Sequence, residues 1–343
     1  MSEPYPYSPG PRPRRRGRRV LRFLAALVVL AALGAYLTVQ YLTGGNGTPR
    51  CVVVSGEDDG TSYEFTPEQA AHAATISAVG TSRDLPEWAV TIALAAALQE
   101  SGLRNIGHGD RDSLGLFQQR PSQGWGTEQQ IQDPVYASGE FYEHLAKVDG
   151  YEELPLTVAA QRVQRSGYPE AYAKHEPDAT LLAAALTGHA AATLTCEGRR
   201  ETTDTAYTSG PAAVRTALAR DFGGDAFEAA AAVVSSEGTP SAQAIPSPDP
   251  TSSSSSSSAA AAAAGIVTIP LSGAGDTDEV RRRGWELAHW AVANSARLGV
   301  ERVSFAGREW VAEGRAGAWR KIEGAAGGSA AGSATEVRIV TGQ

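Results

Sequence analysis

Residues Phe23 to Val39 run for seventeen positions without a charge, and seven arginines (12, 14, 15, 16, 18, 19 and 22) stand directly ahead of them. Such a run is slightly short for a membrane-crossing helix and rather long for the core of a cleaved export signal. Ala32 and Gly34 would suit a cleavage site, but Tyr36, Leu37, Val39, Tyr41 and Leu42 carry the apolar stretch past it. The sequence therefore predicts one uncleaved transmembrane helix over residues 23–42, in contact with the lipid bilayer. The basic arm 1–22 stays in the cytoplasm, and the chain beyond the helix lies outside. Everything after the anchor must then fold in an oxidising compartment close to a membrane.

Charge supports that division. Residues 1–22 hold seven arginines against Glu3, a balance of +6; subtracting this from the formal net charge of −8 leaves −14 for the rest. An acidic body argues against nucleic acid as its ligand. Cys51 and Cys196, the two cysteines of the chain, are expected to pair outside the cell. The alternative is two unrelated buried thiols, which an oxidising compartment disfavours. As a disulfide they would close a long loop, worth roughly 4–5 kcal/mol on chain-entropy grounds. No metal and no cofactor is expected. The histidines (72, 108, 144, 175, 189 and 289) form no H-x-x-x-H or H-x-H pair, and neither cysteine has a ligand at short spacing. No motif names a protein partner.

Helix signals organise the middle of the chain. Thr66-Pro67-Glu68-Gln69 reads as a cap, a first-turn proline and a capping-box glutamine, with a helix to about Val79 and Gly80 ending it. Asp84-Leu85-Pro86-Glu87 opens a second helix that reaches Gly102. Residues 103–126 read as loops with a small hairpin. Further helices start at Asp133-Pro134, near Thr157, at Pro169 and at Pro177. The resulting division is a stalk at 43–50, a mostly α domain at 51–200, a helical segment at 201–236, a Ser/Ala/Pro linker at 237–265 expected to be disordered, and a small α+β accessory module at 266–343. In the module, Trp285, His289, Val292 and Ala296 recur at helical spacing, and Val300–Phe305, Glu309–Val311 and Val337–Val340 read as strands.

Glu100 is the candidate for chemistry. Ala96, Ile92 and Trp88 precede it in helical steps, which sets its carboxyl at the rim of an apolar face. It also sits in the last helical turn, where the negative end of the backbone dipole disfavours an anion. Both effects raise its pKa and suit it to act as a general acid. Downstream, Asp110 and Asp112 lie in the loop before Gly115. They read as water-activating carboxylates or, more simply, as an Asp-rich turn.

Glu100-Ser101 followed by Gly115-Leu116-Phe117-Gln118, with Gly115 fifteen residues after Glu100, resembles the lytic transglycosylase and goose-type lysozyme group of the lysozyme-like superfamily. Asn105 and Pro121 fall near that group's Asn and Pro, and Phe117 stands in place of its Met. The resemblance spans residues 66–188. It implies a mainly α lysozyme-like fold acting on the glycan strands of peptidoglycan, with Glu100 as acid and then base. Ser101 would support the backbone or bond the carboxyl, and Gln118 and Gln119 would hold sugar amide groups. The group's third motif, Ala-Tyr-Asn-Ala-Gly, is altered at Ala159-Ala160-Gln161-Arg162-Val163, where Gln164 and Tyr168 are the candidate substitutes for substrate contact. Trp125, Tyr168 and Tyr172 are candidates for stacking on sugar rings. The C-terminal module resembles accessory domains on actinobacterial wall hydrolases, without the metal-binding His-x-His of related peptidases. The expected function is a membrane-anchored enzyme outside the cell that cleaves peptidoglycan glycan strands, by transglycosylation or hydrolysis. The alternative is an inactive lysozyme-like protein that binds the wall or serves as a scaffold.

Overall fold

The structure, a computed structural model, describes residues 24–34, 49–57, 59–197, 209–224, 265–271, 277–312, 318–322 and 335–342. The chain divides into two units, Met1–Gly47 and Thr48–Gln343. In the first, residues 24–34 are helical, and Leu24, Leu27, Val28, Val29, Leu30 and Leu33 are all exposed. Among the described residues no helix is long and apolar enough to cross a membrane. Residues 35–42 of the expected span, and the expected linker up to residue 264, lie outside the described residues.

The second unit is helical around two small antiparallel sheets. Strand β1 (Arg50–Val54) is flanked by β2 (Ser62–Phe65) and β3 (Leu194–Glu197). Cys51 and Cys196 face each other directly across β1 and β3 and form a disulfide. The sequence predicted a stalk up to residue 50 and no sheet here. Its strands are four or five residues long, and β1 meets β3 only after some 145 residues of chain, so no local pattern announces it.

Helix α1 (Pro67–Thr81) begins at a full capping box on Thr66 and Gln69. It continues through Gly80 instead of stopping there. The missing side chain of Gly80 admits a close neighbour: a Cβ would lie 2.7 Å from Tyr142 Oη, and Tyr142 donates to the Ile76 carbonyl at 3.0 Å. Helix α2 (Glu87–Ser101) is buried on all sides from Ala89 to Leu98 and ends at left-handed Gly102. Alanine dominates it, and this lets α1 and the later helices approach closely. The short α3 (Glu128–Ile131) packs on α4 (Pro134–Ala146), and around α2 pack α4, α5 (Leu156–Gln164), a 3-10 turn at Pro169–His175 and α6 (Glu176–Leu186).

The C-terminal strands form the second sheet. Its order is β4 (Ile266–Pro270), β8 (Glu336–Thr341), β5 (Val300–Phe305), β6 (Arg308–Val311) and β7 (Arg320–Lys321), all antiparallel. Helix α8 (Thr277–Ala293), followed by the short α9 (Ser295–Leu298), covers one face. Every residue of α8 from Gly284 to Ala293 is buried. The sheet alone does not account for this, because the opposite side of α8 packs on α1, α6 and β3. The C-terminal strands therefore share a core with the helical domain. Helix α7 (Pro211–Phe222) joins the same core.

Polar side chains fasten this junction. Asp221 is 1% exposed and accepts from Thr75 Oγ1 at 3.1 Å, Trp290 Nε1 at 2.9 Å and Arg220 Nε at 2.8 Å. Thr81 donates to Glu286, whose other oxygen meets Arg283 at 2.7 Å. Trp319 Nε1 donates to the Leu194 carbonyl at 2.9 Å. His289 is fully buried between the two parts, and its Nδ1 donates to the Ala185 carbonyl at 2.7 Å. Burial depresses its pKa to about 4, so it is neutral at ordinary pH.

Candidate active site

Glu100 stands where α2 emerges from the core, and it is half-buried. Burial raises its pKa, opposed by hydrogen bonds from Tyr172 and Gln164. Tyr172 Oη donates to Glu100 Oε1 at 2.6 Å. The Tyr172 ring is itself fully buried. It belongs to the 3-10 turn, where positions three apart lie on one side. Accordingly His175 also faces the end of α2, with its Nε2 3.1 Å from Gln99 Oε1.

The Gly115–Gln118 segment is a tight turn bracketed by a β-bridge between Leu114 and Gln119. Gly115 has φ 77°, and a Cβ there would lie 2.7 Å from the Ile131 carbonyl oxygen. This position requires glycine on both counts. Leu116 and Phe117 turn inward, and Phe117 stacks on Phe141 with centroids 4.7 Å apart. Two side chains tie the turn to Glu100's surroundings. Ser101 Oγ lies 2.8 Å from the Leu116 carbonyl and receives the Arg104 N–H at 3.2 Å. Gln164 Nε2 donates to the Phe117 carbonyl at 2.8 Å, and its amide also bonds Glu100. The Glu-Ser and Gly-Leu-Phe-Gln motifs, fifteen residues apart in sequence, are thus neighbours in space.

These contacts correct several expected roles. Gln119 is 2% exposed and donates to the Ala137 carbonyl at 3.0 Å; it braces the turn and cannot reach a ligand. Ser101 supports backbone, one of its two expected roles. Gln164 bonds the site to itself, so its amide faces Glu100 and Phe117 in place of a sugar. Gln118 sits at φ 49°, with its amide bonded to Gly115 O at 3.2 Å and Ser113 Oγ at 3.0 Å. Tyr168 is 79% exposed and open to solvent. Tyr172 cannot stack on a sugar because its ring is in the core. Nothing local announces its bond to Glu100, which joins residues 72 positions apart.

The aspartates resolve in favour of the simpler reading. Asp112 accepts from Arg120 Nε at 2.7 Å and the Ser122 N–H at 2.9 Å. The Ser122 bonds and then the Arg120 bond hold its pKa far below the ordinary carboxylate range. Asp112 is a loop brace. The Asp110 side chain is 96% exposed. Asn105 secures the same loop by donating to the Gln132 carbonyl at 2.8 Å. Among the described residues no group of three or more His, Cys, Asp or Glu is placed to hold a metal ion.

The chain matches no protein-family model. No curated protein matches it in sequence.

Proposed function

We propose that this protein is a membrane-anchored, extracytoplasmic enzyme of the lysozyme-like type that cleaves peptidoglycan glycan strands, with Glu100 as general acid and base. The observation that carries this reading is the setting of Glu100. It is half-buried at a helix end, with a raised pKa, and is held by Tyr172 at 2.6 Å. A protonated carboxyl in that state can hand its proton to a glycosidic oxygen as the bond to the sugar carbon breaks. The resulting carboxylate then takes a proton from the attacking hydroxyl. Tyr172 and Gln164 donate to the carboxylate form and so stabilise the acid after it has given up its proton. The arginine-rich arm, the apolar run after it and the Cys51–Cys196 disulfide support an anchored protein facing out of the cell.

The test is digestion of purified wall sacculi by the full-length chain in detergent. Glu100→Gln is expected to release muropeptides at least about 100-fold more slowly. Equal release by parent and variant rejects the assignment. The mass of the released ends distinguishes a 1,6-anhydro product from a hydrolytic one.

One observation favours the alternative, a wall-binding protein without turnover. The amide N–H groups of Gln118, Gln119 and Gln164 all donate to backbone carbonyls within the protein. Sacculus binding that survives Glu100→Gln, with no products from the parent, selects that reading.

A further inference from the structure

Helix α2 ends in two left-handed residues. Gly102 has φ 62°, which suits a glycine at a helix end. Leu103 follows with φ 59°, a backbone that is rare for a bulky side chain. The Leu103 side chain is fully buried. A strained residue of this kind persists only where its surroundings hold it.

Two sets of bonds hold this one. Within the helix, the Gly102 N–H donates to the Leu98 carbonyl at 3.0 Å and the Leu103 N–H to the Ala97 carbonyl at 3.1 Å, which closes the last turn. From outside, helix α1 grips the carbonyls of the same two residues. Gln69 Nε2 donates to the Gly102 carbonyl at 2.8 Å, and His72 Nδ1 lies 2.8 Å from the Leu103 carbonyl. A carbonyl oxygen only accepts, so Nδ1 carries the ring hydrogen. Gln69 and His72 stand three apart on α1 and share a face. Gln69 is itself fixed, because its Oε1 accepts the Thr66 N–H at 2.8 Å in the capping box. The side chain that starts α1 thus also ends α2.

The strained pair lies between the acid and the turn that faces it. Just before the pair, Glu100 is held by Tyr172 at 2.6 Å and Ser101 Oγ meets the Leu116 carbonyl at 2.8 Å. Just after it, the chain enters the loop in which the Ile106 carbonyl accepts the Gly115 N–H at 2.8 Å. The direction in which the chain leaves α2 therefore sets how Glu100 and the Gly115–Gln118 turn meet. We infer that His72, with Gln69 one helical turn before it, is a positioning residue for Glu100: the two side chains hold the left-handed Gly102–Leu103 pair and so keep the carboxyl against Tyr172. The inference rests on the proposed role of Glu100 and adds the part of α1 on which that role depends.

The test reads the Glu100 carboxyl itself, in the full-length chain in detergent. Its titration is followed by carbon NMR with isotope-labelled glutamate, and Glu100→Gln identifies the signal. His72→Phe keeps a ring and removes the donor. His72→Asn keeps a donor close to the place of Nδ1. Both variants remove the same ionisable group, so a difference between them reports the hydrogen bond. In His72→Phe the carboxyl is expected to loosen and lose the burial that raises its pKa, so that it titrates at lower pH than in the parent. With glycan strands kcat is expected to fall about tenfold with KM little changed. His72→Asn is expected to restore both. If His72→Phe does not fold, Gln69→Leu removes the other donor and is read in the same way. A folded variant whose Glu100 titrates as in the parent, whatever its thermal stability, overturns the inference, and so does equal loss in His72→Asn and His72→Phe. A titration that responds as expected in a chain that cleaves no glycan keeps the clamp and rejects the catalytic reading.

Discussion

Glu100 shows how opposing effects set the pKa of a single side chain. Burial raises its pKa, and hydrogen bonds from Tyr172 and Gln164 lower it, with burial the larger. The sign of a change at Tyr172 follows. Its hydroxyl favours the carboxylate, so Tyr172→Phe removes a lowering effect and raises the Glu100 pKa further. In the proposed role as general acid Glu100 works only while protonated, so activity would then persist to higher pH. The alkaline limb of kcat/KM is expected to move upward by about one pH unit, with the maximal rate reduced because the carboxyl loses a positioning contact. A pH–rate profile on soluble glycan strands checks this. An unmoved limb would mean that Tyr172 does not act through Glu100.

At the level of elements, the site depends on a turn that only one residue type can make. Gly115 combines left-handed backbone with a neighbouring carbonyl oxygen 2.7 Å from where a Cβ would sit. Gly115→Ala is therefore expected to cost about 2 kcal/mol, read as a fall in the urea midpoint. It should also lower activity, because Ser101 and Gln164 both anchor on this turn. A variant with unchanged stability would show that the loop relaxes freely. The same turn shows what the amide-rich sequence left open: Gln118 and Gln119 follow the Gly-led turn directly, but their donors are spent on backbone carbonyls.

For the molecule as a whole, the decisive element is α8, buried from Gly284 to Ala293 between a sheet and the helical domain. The C-terminal strands are thereby part of the core that carries the site. A protease site inserted in the Ser252–Ser258 run and then cut is expected to leave two fragments that co-elute in gel filtration. Asp221→Ala should weaken their association, because it leaves Trp290 Nε1 without its acceptor in a buried junction; fragments of the otherwise unaltered chain that separate would refute a shared core. The sequence by itself determined the helix starts at Pro67, Glu87 and Pro134, the Val300–Phe305 strand and the pairing of the cysteines, because caps, periodicity and compartment act over short range or by count. It also placed Glu100 at a helix end beyond an apolar face. Only the tertiary structure decided that Tyr172 holds that acid, that Gln119 is core, that β1 and β3 close a sheet and that α8 lies inside. Each of these depends on contacts between residues far apart in the chain, and a hydrogen bond or a buried face across such a distance leaves no local pattern in the residues that make it.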